Sequence, residues 1–466
     1  MSTRQNDYDV IVIGGGGAGL AAANAATDSG ASVLIVDAAD RLGGSTALSQ
    51  GAFYAAGTRV QEQLGIEDDS ADAMYRYAMA LNQYRVDPAL MRRFCDEATG
   101  IFHWLMSLGV SFPPELLVEA GVEGVARSHF AAGFGAALTS AMEASLSGRK
   151  ADVALRTRVR KLLIEDGRVC GIETADGTVR AAAVVIASGG FGANPELVSR
   201  YYPEAAAHGD WTWYIGSRHC VGDGLALGQA AGADLTGHNR GLLLATAFFR
   251  KEVELPPGWL MMVNRDGRRF MDESVAYAVM SGVIKEQRNG ECFAVFDHGS
   301  FTAPPLDPRF AEAIRAGTWQ TTWTADVLAE QLKLGRLFRA DTLGELAADA
   351  GIMPAALRNS VEEYNADCAR GADARFFKPG SMLKPITEPP YYAARMRSSI
   401  LCLTSTGLRI DSDARVLDEA GSVIPGLFAA GEVTGGVMGE RYIGSGNSIA
   451  HVITYGRIAG RSAARQ

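Results

Sequence analysis

Residues Tyr8–Asp37 read YDVIVIGGGGAGLAAANAATDSGASVLIVD, and this stretch decides the fold. Tyr8–Ile13 is a short continuous apolar run, the pattern of a parallel strand buried on both faces. It feeds directly into Gly14-Gly15-Gly16-Gly17-Ala18-Gly19 and then the helical stretch LAAANAATDSG; a second apolar strand, Ala31–Val36, ends on Asp37. Strand, GxGxxG, helix, strand and acid within about thirty residues form a dinucleotide-binding unit. Gly14 permits the tight turn, Gly16 lets backbone approach a pyrophosphate, and Gly19 lets helix and strand pack closely. The helix N-terminus supplies the anion site. Asp37 stands where a carboxylate accepts hydrogen bonds from both ribose hydroxyls.

Working outward, Asp37 is followed by Ala38-Ala39-Asp40-Arg41-Leu42-Gly43-Gly44-Ser45-Thr46, a second glycine turn. A flavin dinucleotide must be threaded past its pyrophosphate toward a distant reacting face, and such a turn lets backbone hug it. No second complete GxGxxG unit occurs in the chain, so a separate NAD(P) domain is not expected. The expected cofactor is FAD, and the expected fold class is α/β: a Rossmann-like FAD-binding domain with an inserted α+β capping domain.

The rest of the chain narrows the class. Its 466 residues suit two domains, and 47% hydrophobic with 21% charged residues is ordinary globular composition. A net charge of -9, with Arg265–Arg269 as the longest basic block noted, argues against nucleic acid as a partner. Six scattered cysteines show no CxxC pair and no metal spacing, so they read as reduced thiols and no metal site is expected. The N-terminus MSTRQNDYDV lacks signal-peptide character, and no apolar run reaches the roughly 18–20 residues of a membrane span. A soluble, cytoplasmic protein with no membrane span is expected.

Apolar residues at three- and four-residue spacing predict helices over Ser70–Leu108. Val153–Ala182 reads as a β-meander with turns at Asp166-Gly167 and Asp176-Gly177, leading into a separate buried strand, Ala183–Ala187. Gly426–Glu432 reads as a further short strand, and Gly444–Ala464 as a helix beginning at a glycine turn. The FAD-binding domain is therefore expected at 1–236 and 391–466. The capping domain, with the Pro256-Pro257, Pro304-Pro305 and Pro389-Pro390 turns, is expected at 237–390.

The segments IGGGGAGLAAA, LGGSTALSQG, VVIASGGF, CVGDGLALGQAAGA, NRDGRRFMDES, GLFAAGEVTGG and GSGNSIAHVITYGRIAG, in this order, resemble the fumarate reductase/succinate dehydrogenase flavoprotein superfamily. The resemblance implies a glutathione reductase/fumarate reductase type of FAD domain. It assigns cofactor contacts to Gly14, Gly16, Gly17, Ala18, Gly19, Asp37, Ala38, Gly43, Gly44, Ser45, Thr46, Gly51, Val159, Ala187, Ser188, Gly189, Asp223, Gly431, Glu432, Ser448 and Ile449. Respiratory-type members attach FAD through a histidine where this chain has Ser45, so non-covalent FAD is implied. No CxxCH is present for a built-in haem.

Within the superfamily the chain is most similar to the 3-ketosteroid dehydrogenase branch. Dicarboxylate enzymes place an acid arginine four residues after the Glu matching Glu273, where this chain has Tyr277. They place a carboxylate histidine where it has Leu403, and a second arginine about where it has Tyr442, beside Arg441. Guanidinium binds carboxylate bidentately, so these departures remove the clamp. Ketosteroid dehydrogenases carry a tyrosine after RFxxE and a tyrosine, three residues, glycine pattern, as Tyr277 and Tyr442-Ile443-Gly444-Ser445-Gly446 do.

The implied chemistry follows from those matches. Tyr442 OH and the Gly446 N–H stabilise an enolate as an oxyanion hole, Tyr277 removes the α-proton, and the β-hydrogen leaves as hydride to flavin N5. A phenol needs a partner to act as base near neutral pH, and Tyr54, Tyr84 and Tyr214 are the candidates. Arg127 and His129 resemble a superfamily segment near the site; a surface ion pair or cap is the other reading. Trp211, Trp213 and Tyr214 read as either a pocket wall or core.

The expected activity is FAD-dependent α,β-desaturation of a small cyclic ketone, a ketosteroid or a substituted cyclohexanone; repetition on a six-membered ring gives a phenol. Arg441 or Arg268 would bind a substrate carboxylate. Oxygen, a quinone or an electron-transfer protein would take the electrons. One alternative is reduction of an activated alkene, as in fumarate or urocanate reductases; another is a flavin-binding protein without catalysis.

Overall fold

The computed structural model describes residues 6–253, 255–315 and 320–466. In chain order, the elements that carry the argument begin with β1 (Tyr8–Ile13), α1 (Gly17–Asp28), β2 (Val33–Val36), β3 (Ala151–Ala154), β4 (Lys161–Glu165), β5 (Arg168–Thr174) and β6 (Gly177–Ile186). They continue with β7 (Met261–Val263), α2 (Tyr277–Lys285), β8 (Glu291–Phe296), β9 (Leu337–Ala340), β10 (Tyr391–Thr404), β11 (Arg415–Leu417), β12 (Val423–Ala429) and α3 (Asn447–Ala463). The chain divides into two compact units. One is Met1–Ala207, Tyr214–Leu242 and Leu401–Gln466; the other is His208–Trp213 with Leu243–Ile400.

The first unit is built on an eight-stranded sheet ordered β11-β12-β6-β1-β2-β3, with β5 on β6 and β4 on β5. β1 lies between β2 and β6, parallel to both, with Val10 opposite Val33 and Ala183. Val10, Ile11 and Val12 have no exposed surface, which is why the run is apolar without alternation. α1 is Gly- and Ala-rich because α3 packs on it at backbone range. A Cβ on Gly456 would lie 2.3 Å from the Ala18 carbonyl oxygen, and one on Gly460 2.1 Å from that of Ala22. The last helix is thus held directly on the first.

The meander differs from its expectation in two ways. β3 pairs parallel with β2 and belongs to the main sheet, leaving β4, β5 and β6 as the meander. The expected separate strand Ala183–Ala187 is the second half of β6, because nothing between Gly177 and Ile186 breaks the extended run. Asp166 and Gly167 both have positive φ, 49° and 74°, as a two-residue hairpin with right-handed strand twist requires. The helical region resolves into Ala71–Leu81, capped by Ser70, and Pro88–Ser107, capped by Asp87 with proline at its first position.

In the second unit β7 and β10 flank β8 antiparallel, and β9 pairs with β10. A buried charge cluster fixes the segment before α2. Glu273 accepts hydrogen bonds from Arg269 Nε at 3.0 Å and from the Met262 N–H at 2.9 Å, while Lys378 Nζ lies 3.2 Å from its other oxygen. Arg269 also pairs with Asp373 at 2.9 Å. Two cations thus face two anions, the condition under which such burial is tolerated.

The unit limits fall at Leu242–Leu243 and Ile400–Leu401, later than positions 237 and 390, and the second unit also takes His208–Trp213. The reason is β10. It starts just beyond Pro389-Pro390 and continues without interruption to Thr404, so the proline pair opens a strand rather than closing a unit.

Candidate functional site

The first unit holds a cavity at the C-terminal ends of β1, β2 and β6, where nucleotide sites lie in open parallel sheets. β1 ends in Gly14, whose φ of 100° and whose approach to the Ala187 backbone both exclude a side chain. A Cβ on Gly16 would meet nothing nearer than Gly44 Cα at 3.9 Å, so its bare backbone opens toward the cavity. α1 begins at the next residue, and no side chain caps its N-terminus. Those amide groups are therefore left for an anion. Asp37 Oδ2 accepts from the Gly15 N–H at 2.6 Å and Oδ1 from the Ala39 N–H at 2.7 Å, fixing both glycine loops around the carboxylate. The donor set fits a dinucleotide pyrophosphate and ribose, and these residues would hold FAD there.

Gly14, Gly16, Gly17, Ala18, Asp37, Ala38, Gly44, Ser45, Thr46, Val159, Ala187, Ser188, Gly189, Asp223, Gly431 and Glu432 all line this cavity. Gly19 and Gly43 support it from behind. A Cβ on Gly19 would lie 1.8 Å from the Gly14 carbonyl oxygen, and the Gly43 N–H donates to the Gly15 carbonyl at 2.8 Å. Gly51 packs on the Phe134 backbone, and Ile449 is buried in α3. Neither lines the cavity.

Thr157, Arg158, Ser217 and His219, which lie outside the motifs, and Cys220, which opens the CVGDG segment without an assigned role, also line it. Arg158 follows β3 and pairs with Asp223, so the GDG segment carried its signal only through a partner 65 residues away. Cys220 stands 3.5 Å from Ser45 Oγ, and burial pushes its thiol up to about 11. Ser45 itself accepts the Ser217 N–H at 2.9 Å. Burial raises the Glu432 carboxyl above its ordinary value, against the Thr404 N–H and hydroxyl that bond it at 2.8 and 3.0 Å.

The second cluster in this unit is the loop Tyr442–Gly446, which enters α3. Gly446 has φ 90°, and a Cβ there would meet the Ala52 backbone at 2.6 Å, so only glycine makes this turn. The Tyr442 hydroxyl lies 3.0 Å from Ser448 Oγ and accepts the Ser448 N–H at 3.0 Å. Burial raises the phenol above its ordinary value, while the Ser448 hydroxyl, its N–H and the Gly446 N–H oppose that rise. Tyr442 and Gly446 are thus brought together at a helix N-terminus. Ser448, expected on the cofactor, is in this structure a partner of Tyr442, in the first turn of α3.

Tyr277 lies in the second unit as the first residue of α2, half-buried. Tyr84 is 74% exposed, which removes it from the candidates for a buried partner. Tyr214 lies in the first unit, its ring against Gly192 and Gly216 and its hydroxyl 3.5 Å from Ser45 Oγ. Tyr54 is fully buried and its hydroxyl donates to Glu123 Oε1 at 3.1 Å.

Arg127 and His129 are not a surface pair. They are 3% and 1% exposed; Arg127 binds Asp69 through Nε at 2.9 Å, and His129 Nε2 lies 2.8 Å from Thr58 Oγ1. Burial takes the His129 ring down to about 4, so it is neutral near pH 7. Trp211 stacks on Phe248 at 5.1 Å, with Trp213 tilted on the same ring at 5.7 Å. Leu403 is on β10. Arg268 is exposed on a turn closed by Asn264, and the Arg441 N–H donates to Asn82 Oδ1 at 2.8 Å. Among the described residues no helix is long and apolar enough to cross a membrane, and no cluster of ligands could hold a metal.

Comparison with known proteins places this geometry. The FAD binding domain family matches residues 9–449. A urocanate reductase of Eggerthella lenta is 32% identical over 98% of this chain and 75% of its own length. The open conformation of a flavocytochrome c3 fumarate reductase superposes with a TM-score of 0.69 at 30% identity, over 100% of this chain and 79% of that one. A 3-ketosteroid-Δ4-(5α)-dehydrogenase from Rhodococcus jostii, solved with 4-androstene-3,17-dione, gives a TM-score of 0.79 at 27% identity, over 100% and 99%. The chain belongs to the FAD binding domain family of fumarate reductase-type flavoproteins and is an FAD-dependent oxidoreductase.

Proposed function

We propose that the protein desaturates a cyclic ketone, a ketosteroid or a smaller substituted cyclohexanone, at its α,β bond, using non-covalently bound FAD. One observation carries this reading: a phenol, Tyr442, stands with the Gly446 and Ser448 N–H groups at the N-terminus of α3, where dicarboxylate enzymes of the superfamily place arginine. Hydroxyl and amide donors around one point suit a ketone oxygen that becomes an enolate. A guanidinium clamp would suit a carboxylate.

Bound FAD supplies the two-electron acceptor for the β-hydride. Tyr442 and Gly446 hold the ketone oxygen and acidify the neighbouring C–H. Tyr277 takes the α-proton; its assignment rests on the RFMDES segment, and its place in the first turn of α2 favours the negative charge that a phenolate base carries. The buried Arg269–Glu273 pair four residues earlier holds that segment in register with β7. Ser45, bonded to Ser217, offers no group for covalent flavin attachment.

The second reading is reduction of an activated alkene, favoured by the likeness to urocanate reductase and by Arg441 beside Tyr442. The same groups would then run in reverse, with Tyr277 protonating carbon. An anaerobic absorbance scan of the yellow protein with 3-ketosteroids, cyclohexanones, succinate, urocanate and fumarate separates the two. Bleaching of the oxidised-flavin band by a cyclic ketone, lost in Tyr277→Phe, is the expected result. Bleaching by succinate, or reoxidation of the reduced protein by fumarate or urocanate with no ketone response, rejects it.

A further inference from the structure

We propose that Glu432 is a redox-linked proton site on the wall of the FAD cavity. Its carboxylate takes up one proton when the bound cofactor is reduced and returns it on reoxidation. The inference rests on FAD occupying the cavity, and it holds for either direction of the substrate chemistry.

Glu432 comes just after β12 and lines the cavity. Gly431 before it packs on the first turn of α1, where a Cβ would lie 2.8 Å from the Ala18 Cβ. The carboxyl is therefore carried beside the part of the cavity that takes the anion. Against it runs the segment 188–192, whose glycines clear room for polar side chains. A Cβ on Gly190 would lie 2.5 Å from Glu432 Oε1, one on Gly192 2.3 Å from the Tyr214 ring, and one on Gly189 2.7 Å from Cys220 Sγ.

The hydrogen-bond donors at this carboxyl are all neutral. The Thr404 N–H and hydroxyl donate to Oε1 at 2.8 and 3.0 Å, and the Thr404 oxygen accepts the Phe191 N–H at 3.4 Å. The Gly190 N–H and the Tyr214 phenol also act on it, and the Cys220 and Cys402 thiols face it. Among the described residues it forms no ion pair. The charged and titratable groups of the cavity are engaged elsewhere: Arg158 with Asp223, Asp37 with the Gly15 and Ala39 N–H groups, and His219 with Arg218. A carboxylate without a cation is costly to bury, and burial raises Glu432 above its ordinary value. Burial raises Tyr214, Cys220 and Cys402 as well. Those three stay neutral, which leaves Glu432 as the member of the group that changes charge.

Reduction supplies the charge that moves the proton. Two electrons and one proton turn the neutral oxidised flavin into an anion. A negative charge in a cavity of low dielectric raises the neighbouring carboxyl further. Between its value beside oxidised FAD and its higher value beside reduced FAD, two electrons therefore enter with two protons, one on the cofactor and one on Glu432. Outside that window Glu432 takes none. The substrate gives the electrons and solvent gives the proton to Glu432; no other group is oxidised or reduced.

The test is a mediated spectroelectrochemical titration of the flavin-replete protein, without substrate, over a series of pH values. Inside a window above the ordinary carboxylate range, the wild-type midpoint potential should fall with pH about twice as steeply as that of Glu432→Gln. Protonation of the reduced flavin itself changes the slope in both proteins alike. Reduced-minus-oxidised infrared difference spectra inside the window should show a carboxylic acid C=O band, gained on reduction and absent from Glu432→Gln. A merely structural Glu432 would give no such band. Thr404→Val removes a donor from the carboxylate and should move the window to higher pH; it carries the same readouts if Glu432→Gln does not retain flavin. Equal slopes at every pH in flavin-replete wild type and variant, with no such band, overturn the proton site and leave the desaturase reading standing. A wild type that binds no FAD overturns the cavity assignment as well.

Discussion

Two helix N-termini in the first unit are used in opposite ways. At the start of α1 the working groups are bare backbone amides, freed by glycine and uncapped by any side chain. At the start of α3 the corresponding position is filled from within, by the Tyr442 hydroxyl accepting the Ser448 N–H. The two helices are packed together through Gly456 and Gly460, so both ends are carried by one rigid pair. An empty N-terminus demands an anion and suits a permanently held pyrophosphate. A terminus already capped by a phenol has its charge partly answered; under the proposed desaturation it would take a neutral ketone, which gains hydrogen bonds from the phenol and amides only as charge grows on its oxygen.

Substitutions can break or sharpen that contrast, starting where the effect is largest. Gly19→Val places side-chain atoms where even a Cβ would be 1.8 Å from the Gly14 carbonyl, so α1 must move away from β1. At an overpacking cost of about 3 kcal/mol or more, flavin affinity should fall over about a hundredfold, and the protein should purify with little flavin, read from its absorbance ratio. Retention of stoichiometric flavin would mean that the α1 terminus does not hold the cofactor.

Tyr442→Phe should leave flavin content unchanged and slow ketone-dependent bleaching by about 10²- to 10³-fold, the usual cost of one lost oxyanion donor. Loss of flavin in this variant would merge the two termini into a single site and end the contrast. The smallest effect belongs to Ser448→Ala. Removing a hydroxyl that steadies Tyr442 costs about 1 kcal/mol, or about fivefold in bleaching rate, with the flavin spectrum and content as in the wild type. A weakened flavin instead would return Ser448 to the cofactor contacts.

How far the site could be read from sequence follows from the same contrast. The cofactor loop was readable because its groups are backbone, and backbone exposure is written locally as glycines at fixed spacing between Ile13 and Leu20. The α/β class followed, since an apolar strand, a small-residue helix and a second apolar strand have few other ways to bury their faces. The partnership of Ser448 with Tyr442 was not readable, because its place beside Ile449 in a cofactor-type motif does not say which way its hydroxyl turns. The surface reading of Arg127 and His129 failed for a related reason: a polar side chain reads as surface until the partner that pays for its burial, Asp69 in one case and Thr58 in the other, is seen.

By itself, then, the sequence determined the strand–loop–helix unit and the FAD cofactor, both of them carried by short contiguous patterns. Only the tertiary structure decided that β10 continues unbroken to Thr404, that Tyr442 caps α3, and that Tyr54 meets Glu123 across 69 residues of chain. Contacts of that kind depend on which faces the fold brings together. A side chain's donors and acceptors are indifferent to sequence distance, so no local pattern records their partners.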